Sequence, residues 1–398
     1  MEIKLLTLSG RSVQMIDSLE RGDACEKRNY TVKKETNHII SDGYCSIVLC
    51  RWNVCMVQIS TTTEYCFFGT DTIKICDKKN RFTVCEKNLI AIRDEKRVIA
   101  IGDAAYEMFE KTPMNVRAAC PMARGVIAEA RNAEIVLSHL LKKHKSILSG
   151  RPAIFIAVPR DISAVEKRAY YTVLINIVPE NKIYLVDKGI ADNLGVGVSM
   201  DSQRASMLVN MGAGTTEVSV VAGGKILISK TLQIGGDQLD EDIITMCRRM
   251  FHIHIGKKTA VRLKTALAYV GDGPANSMVV YGISTVSGHP MTAEVTSMAV
   301  SICMEHTIQM IAEELRGMID RLPPQFHQDI LEAGFCLIGG SAMIFNLSDY
   351  FRRQVHVPVS LVPEPGLTTL RGIQAIMNQK DLVKNYTYSL RDLTGSFI

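Results

Sequence analysis

The 398-residue sequence has no uninterrupted apolar run approaching the roughly 18 to 20 residues that span a bilayer. Its most apolar early stretch, 44–59, is short and is interrupted by Arg51. Residues 1–19 carry scattered charges without an apolar core, so no signal peptide is expected. The chain also lacks a basic stripe interleaved with aromatic residues, and its net charge of +5 is mild. No nucleic-acid partner is therefore expected.

Paired cysteine motifs are missing as well. The eleven cysteines include no C-x-x-C pair and their number is odd, which argues against a zinc site or a disulfide framework. Cys45, Cys50 and Cys55 are separated by five residues, a spacing that fits neither one helix face nor one strand face. We therefore expect free thiols in a reducing cytoplasm.

The overall composition, with 47% apolar and 22% charged residues, is that expected of a soluble globular protein. The length suggests two or more domains. Predicted strands alternate with helices, which indicates an α/β fold with covered sheets. We predict strands at 54–59, 65–69, 72–76, 153–158, 182–186, 207–209, 217–221, 225–231 and 334–338. We predict helices at 127–144, 164–174, 240–251, 259–270, 295–322 and 343–353.

The most informative segment is LVNMGAGTTEVSV, an apolar strand that runs through a turn of small residues into a second strand. Small residues at the tip of such a hairpin let backbone N–H groups approach and hold an anion. The tip consists of Gly212, Ala213, Gly214, Thr215 and Thr216. The sequence therefore predicts a phosphate-binding hairpin.

Six segments, in the same order along the chain, resemble motifs of the MreB/Mbl family of bacterial actins. GDAAYEMFEKTPMNVRAACPMARGVIAE resembles the form GDEA…M…RTP…I…PL.DGVIAD, and VPRDISAVEKRA resembles VP..I..VERRA. MGAGTTEVSVV and IGGDQLDEDII are similar to IGGGTTE.AV and VGGDEFDEAI. CLIGGSAMI resembles LTGGGALL, and LTTLRGIQA resembles the closing helix. The match runs from about residue 53 to 378.

The resemblance implies an α/β actin-like fold, in which two lobes enclose a nucleotide cleft. Residues 53–195 plus 366–398 are expected to form lobe I, and 196–365 lobe II, with 1–52 as an N-terminal extension of unknown role. Heat-shock chaperone ATPases and sugar kinases share the fold. Those interpretations are weaker, because neither a peptide-binding domain nor a sugar-binding insertion is expected.

The resemblance also implies a cytoskeletal protein that directs cell-wall growth and cell shape. Its filaments would form with itself or with MreB-like paralogues, at the inner face of the cytoplasmic membrane and with cell-wall synthesis proteins as partners. Residues 142–151 correspond to the family's membrane loop, and here Ile147 and Leu148 stand among four cationic side chains. Basic charge favours an anionic leaflet. An ordinary basic loop is the alternative.

The family's first phosphate loop, of form D-x-G-T-x-N-T, corresponds to 58–64 in this alignment. Gln58 takes the place of its acid, and Glu64 would bring negative charge beside the phosphates. Hydroxyl groups could still donate hydrogen bonds to them. These hydroxyls belong to Ser60, Thr61, Thr62 and Thr63.

Two further exchanges fall at the expected catalytic positions. Asn210 replaces an acid that holds Mg²⁺ through water, and Lys188 replaces the Glu that orients the attacking water. An ammonium group accepts no proton unless its pKa is depressed. We predict that ATP is the bound nucleotide, that Mg²⁺ is doubtful and that hydrolysis is lost or very weak. An active ATPase with a compensated site is the alternative. The Lys188 ammonium would either reach a terminal phosphate or be solvated in an empty cleft.

The nucleoside side of the cleft is expected to be better preserved. A strand-to-helix turn could pack flat against adenine, unless it needs glycine only for its own geometry. This turn consists of Gly339, Gly340, Ser341 and Ala342. Lys264 falls near the family's ribose-facing helix, with a solvated helix lysine as the alternative. Asp237 is predicted to cap the helix that follows it.

Overall fold

The computed structural model describes residues 69–76, 85–143 and 153–388, together with the backbone of strands outside these ranges. The strands are β1 (Lys4–Ser9), β2 (Ser12–Ile16), β3 (Lys27–Tyr30), β4 (Cys45–Cys50), β5 (Val54–Ile59), β6 (Thr63–Phe68), β7 (Thr72–Asp77), β8 (Phe82–Lys87), β9 (Ile90–Arg93), β10 (Arg97–Ile101), β11 (Val116–Ala119), β12 (Met122–Ala123), β13 (Val126–Ile127), β14 (Ala153–Val158), β15 (Ile183–Asp187), β16 (Ser206–Met211), β17 (Thr216–Ala222), β18 (Lys225–Leu232), β19 (Ile253–His254), β20 (Ser277–Ser284), β21 (Pro290–Thr296), β22 (Phe335–Ile338), β23 (Val359–Leu361) and β24 (Thr387–Tyr388).

The helices are α1 (Asp103–Met108), α2 (Ala130–Lys143), α3 (Ala164–Ile175), α4 (Lys188–Gly195), α5 (Gly236–Met250), α6 (Lys257–Leu267), α7 (Ser297–Asp320), α8 (Pro324–Ala333), α9 (Leu347–Val355), α10 (Thr368–Asn378) and α11 (Lys380–Tyr386). Short 3₁₀ turns lie at Glu180–Lys182, Gly340–Met343 and Pro365–Leu367. Within the described ranges, none of the helices combines the length and the apolar character that a membrane crossing requires.

Two central sheets organise the chain. The first has the strand order β24-β15-β14-β6-β7-β8, and the second has the order β18-β17-β16-β22-β23. Strands β6, β14 and β15 pair in parallel, as do β16, β22 and β23. Each sheet takes all its strands from one predicted lobe, although the lobe boundaries themselves stay a prediction. The backbone of β1 to β5 forms an antiparallel sheet of order β3-β2-β1-β4-β5.

The apolar sequence of β14, AIFIAV, matches its place inside the first sheet, where parallel strands are covered on both faces. Helices α2 and α3 cover one face, burying Leu140 and Leu174 among others. A capping box sets the start of α3. The Ser163 hydroxyl accepts the N–H of Glu166 at 3.2 Å, and the Glu166 carboxylate accepts the N–H of Ser163 at 2.7 Å.

The second sheet packs against α5 and α7 in the larger core. The predicted apolar stripe of α7 is buried, including Ile311 and Leu315. Strand β18 follows its predicted bounds closely, but β20 and β21 were not predicted from the sequence. Helix α5 begins at Gly236, four residues before the predicted start, and a 3₁₀ turn precedes α9 where one helix from 343 was expected.

Helices α4 and α10 cross where the two sheets approach each other. Helix α4 packs against strands of both sheets, and α10 packs against α4, β6 and β14. The backbones of the two helices meet at Gly372, where a Cβ atom would lie 1.6 Å from the Ala191 carbonyl oxygen. This crossing joins the halves of the molecule on one side of a cleft.

Candidate nucleotide cleft

A cleft of about 1000 Å³ opens between the two central sheets. Two hairpin tips border it, one between β6 and β7 at 69–71 and the other between β16 and β17 at 212–215. The tips are in close contact, since a Cβ atom on Gly214 would lie 2.9 Å from Thr70 Oγ1. Of the predicted site residues, those that line the cleft are Lys188, Asn210, Gly212, Ala213, Gly214, Thr215, Lys264, Gly339, Gly340 and Ser341.

The hairpin between β16 and β17 is held rigidly at its tip. The Gly212 N–H donates to the Thr215 carbonyl at 2.8 Å, while the first amides of α5 donate to the Gly212 and Ala213 carbonyls at 3.0 and 2.8 Å. Among the described residues, the N–H groups of Ala213 and Gly214 have no protein acceptor. Adjacent backbone amides of this kind can hold an anion. Thr216, the last predicted tip residue, is buried, and its hydroxyl donates to the Ile234 carbonyl at 2.8 Å.

The predicted first phosphate loop is not tested by the structure. The side chains of Gln58, Ser60, Thr61, Thr62, Thr63 and Glu64 lie outside the described residues. In the described part of the chain, the tip at 69–71 faces the second hairpin instead. The sequence contained a signal for it, because Phe67-Phe68-Gly69-Thr70 retains the Gly-Thr pair of the D-x-G-T motif. On that alignment Phe67 stands at the acid's position.

Lys188 is the first residue of α4, and its Nζ lies 2.5 Å from Glu217 Oε1 on β17. Only 7% of Lys188 is exposed, so the alternative of a solvated side chain does not hold. Burial opposes its charge, but the nearby carboxylates of Glu217 and Asp192 outweigh that effect and raise the pKa of Lys188. The ion pair with Glu217 therefore favours the ammonium form of Lys188 in the cleft.

Asn210 is buried against a carboxylate that sequence reasoning missed. Its Nδ2 donates to Asp192 Oδ2 at 2.8 Å, and Asp192 Oδ1 accepts the Thr369 hydroxyl at 2.6 Å. Burial raises the pKa of Asp192 to about 6. The sequence contained a signal for this carboxylate. The family segment that carries the water-orienting Glu has the form I-E-E-P-x-A-A, and when its second Glu is aligned with Lys188, its last alanine falls on Asp192. The acid lost at 210 thus faces one gained at 192.

Asp187, one residue before Lys188, is directed elsewhere. Its Oδ2 accepts from Arg160 Nη1 at 2.6 Å, and Tyr388 donates to its Oδ1 at 3.3 Å. A second lysine, Lys74 on β7, also lines the cleft and donates to the Gly366 carbonyl at 2.7 Å. Burial lowers the pKa of Lys74. Sequence reasoning did not single out this lysine.

The turn after β22 closes the other end of the cleft. Gly339 has a φ of 92°, and a Cβ atom there would lie 2.3 Å from the Met211 carbonyl oxygen, so the turn itself requires glycine. Gly340 faces open space, and the Ser341 hydroxyl donates to the Gly212 carbonyl at 3.1 Å. Ala342 is buried beneath the turn. The open surface at Gly340 leaves room for a flat ring.

Lys264 lines the cleft but is not solvated. Its Nζ lies 2.8 Å from Asp240 Oδ1 and donates to the Gly236 carbonyl at 2.6 Å. The prediction that Asp237 caps α5 was wrong, because Gly235 is the N-cap residue. Asp237 lies in the first helical turn and pairs with Lys257 at 2.8 Å instead.

Contacts from residues 106–110, at the end of α1 and just beyond it, to the start of α6 join the two halves across the mouth of the cleft. The Glu110 carboxylate accepts the backbone N–H groups of Lys257 and Lys258, the second at 3.3 Å. Lys258 Nζ donates to the Glu107 carbonyl at 3.2 Å and lies 4.7 Å from the centre of the Tyr106 ring. An acidic side chain from one half thus satisfies the free amides at the start of a helix in the other.

Most of the chain is similar to known cell shape-determining proteins. The family model described as MreB/Mbl protein matches residues 67–385, which include the tip at 69–71. The cell shape-determining protein MreB of Haemophilus influenzae is 30% identical over 314 residues, covering 76% of this chain and 89% of that protein. The cell shape-determining protein Mbl of Bacillus subtilis is 28% identical over 316 residues, covering 79% and 95%.

Solved structures show the same fold. MreB5 of Spiroplasma citri bound to AMPPNP superposes with a TM-score of 0.77 at 25% identity, over 82% of this chain and 98% of that one. The MamK double helical filament gives a TM-score of 0.66 at 18% identity, over 80% and 99%. The predicted actin-like fold is confirmed. The chain belongs to the MreB/Mbl family of cell shape-determining cytoskeletal proteins.

Proposed function

We propose that the protein is a filament-forming scaffold that binds an adenine nucleotide in its cleft and hydrolyses it very weakly or not at all. The buried pair of Lys188 and Glu217 carries this proposal, because it places an ammonium where the family has its water-orienting carboxylate. Nucleotide binding is supported by the similar MreB5, solved with AMPPNP and with ADP. Self-association is supported by the filament of MamK, a protein of the same fold.

Three carboxylates close to Lys188, in space or along the chain, have partners inside the protein. Glu217 pairs with Lys188, Asp192 accepts from Asn210 and Thr369, and Asp187 pairs with Arg160. A general base must be within hydrogen-bond reach of the water it activates and must be able to take its proton. A carboxylate that already accepts a hydrogen bond from an ammonium group is poorly suited to this role.

An active ATPase with a compensated site is the second candidate. It is favoured by Glu217, because this carboxylate lines the cleft and lies two residues from the tip of the phosphate hairpin. The two candidates differ in the ratio of turnover to binding. A scaffold retains nucleotide without releasing phosphate, whereas a compensated enzyme releases it at a rate typical of its family.

We expect phosphate release from ATP at or near the background rate, with or without Mg²⁺. Loss of a positioned carboxylate costs about 10²–10⁴-fold where it aids proton transfer. A phosphate-release assay on the full chain, with H. influenzae MreB measured alongside, tests this expectation. Brisk Mg²⁺-dependent release by the unmodified protein would favour the compensated enzyme.

A gain-of-function variant sharpens the same test. Lys188→Glu, Asn210→Asp and Asp192→Asn together return this region to the family's charge arrangement, and they should raise Mg²⁺ dependence first and turnover second. Lys225→Glu makes the same charge change on an exposed lysine of β18 and should leave release at background. Equal effects of the two variants would show that position 188 has no special role.

We further propose that the protein lies at the inner face of the membrane through residues 142–151, in contact with proteins of cell-wall synthesis. Lys142 and Lys143 end α2 with exposed side chains, and Lys143 pairs with Glu86 at 2.7 Å. Ile147 and Leu148 lie outside the described residues. Each basic residue near an anionic leaflet contributes about 1 kcal/mol.

Sedimentation with anionic vesicles tests the membrane proposal. We expect binding that weakens as salt rises and that falls when Ile147 and Leu148 are both changed to serine. The control changes Met114 and Val165 to serine, since both are exposed apolar side chains in other parts of the fold. Binding that responds neither to salt nor to the Ile147 and Leu148 changes would exclude this loop as the anchor.

A further inference from the structure

The actin-like fold implies a Mg²⁺ ion beside the nucleotide phosphates, and the residues at that position fit it poorly. Asn210 offers a neutral amide whose nitrogen is bound to Asp192, and its oxygen lies 2.7 Å from where a Cβ atom of Gly339 would be. Mg²⁺ is usually bound through one or two carboxylates. A divalent cation here would also lie close to the buried ammonium of Lys188.

The same cleft is suited to an anion. Lys188 and Lys74 both line the cleft, one from α4 and one from β7. In the same cleft, the N–H groups of Ala213 and Gly214 have no protein acceptor in the described part of the chain. Lysine acts on phosphate as a point charge and does so most strongly where water is excluded. The cleft therefore offers lysine side chains and backbone hydrogen-bond donors to an anion without a metal.

We propose that Lys188 is the resident cation of this cleft and that a nucleoside polyphosphate binds there without a divalent metal ion. This inference rests on the proposed nucleotide binding and specifies its chemistry. In the described conformation Glu217 holds the ammonium at 2.5 Å. An incoming phosphate must share Lys188 with Glu217 or replace it, so the carboxylate competes with the ligand.

Because Glu217 competes with the ligand for Lys188, each substitution should change ADP affinity in a known direction. Glu217→Gln removes the competing charge but retains the shape of the side chain, so it should tighten ADP binding in the presence of EDTA by about tenfold. Lys188→Met should weaken that binding by at least as much. In the Lys188→Met background, Glu217→Gln should have a clearly smaller effect on affinity, because the cation for which it competes is gone and only its direct repulsion of phosphate is relieved.

The measurement is isothermal titration of the full chain with ADP, in EDTA and then in excess Mg²⁺. Thermal melting of each variant checks folding, and the double variant matters here because it leaves no unpaired charge at the pair. Lys225→Met, an exposed lysine of the second sheet, is the matched control and should change nothing. We expect the unmodified protein to bind ADP with equal affinity in EDTA and in excess Mg²⁺.

The outcomes distinguish failure of nucleotide binding from failure of the metal-free inference. Absence of ADP binding in either buffer would contradict the proposed function itself. Binding in Mg²⁺ alone would overturn the metal-free inference and leave nucleotide binding intact. Weaker binding by Glu217→Gln would also overturn it, because Glu217 would then be supporting the ligand or its metal.

Discussion

Replacing Gly372 with alanine is expected to lower the free energy of unfolding by about 2 to 3 kcal/mol, the upper range for overpacking a core. The added methyl would lie 1.6 Å from the Ala191 carbonyl oxygen, far inside van der Waals contact. Because the obstacle is backbone, no side-chain rotation can relieve it, and α4 and α10 must move apart. Chemical denaturation followed by circular dichroism measures the loss.

Gly317 provides the matched control for this prediction. It also lies within a helix, α7, but the nearest atom to an added Cβ is Arg321 Nη2 at 3.4 Å, the end of a flexible side chain. Alanine at an unhindered helical position should stabilise the protein by about 0.5 to 1 kcal/mol. Equal effects at the two positions would contradict the close packing of α4 on α10.

Restoring the family's acid at position 210 alone is expected to destabilise the protein by about 3 kcal/mol near neutral pH. Asn210→Asp would place a second buried carboxylate against Asp192, in place of an amide that donates at 2.8 Å. The double variant Asp192→Asn and Asn210→Asp again has one amide and one carboxylate in the pair, with their positions exchanged. It should recover most of the loss, which a double-mutant cycle measures as coupling energy.

The pH dependence of this variant has a definite sign. Burial raises the pKa of Asp192 to about 6 in the folded protein, from an ordinary value of 3.8. Between these values the native state binds more protons than the unfolded state, so stability falls as pH rises. Two facing carboxylates hold a shared proton to still higher pH. The loss in Asn210→Asp should therefore grow from about pH 5 toward neutrality, and a pH-independent loss would contradict the pairing.

The sequence predicted those parts of the cleft that depend on neighbours in the chain. The hairpin tip at 212–216 follows from small residues between two apolar strands, and β14 follows from six consecutive apolar or small residues. Position 188 was also found, since a linear motif carries it. Strand β20 was missed because Val279, Tyr281 and Ile283 leave its outer face apolar, which obscures the alternation of a half-buried strand.

The partners of the site residues could not be predicted in this way. Lys188 and Glu217 are 29 residues apart, and Asp192 and Thr369 are separated by 177. Such pairs exist only because α4, β16, β17 and α10 converge at one point. The tip at 69–71 was missed for a different reason, since the hydroxyl-rich run 60–63 follows an equally strand-like segment and matched the motif's threonine.

The contacts across the mouth of the cleft have a kinetic consequence. Lys258 of α6 contacts Glu107 in α1 and Glu110 just beyond its end. A molecule whose way out leads past these contacts departs when they break, however weakly it is itself bound. Its residence time then reports the opening rate of the protein, and affinity and exchange rate become separately adjustable by changes at different residues.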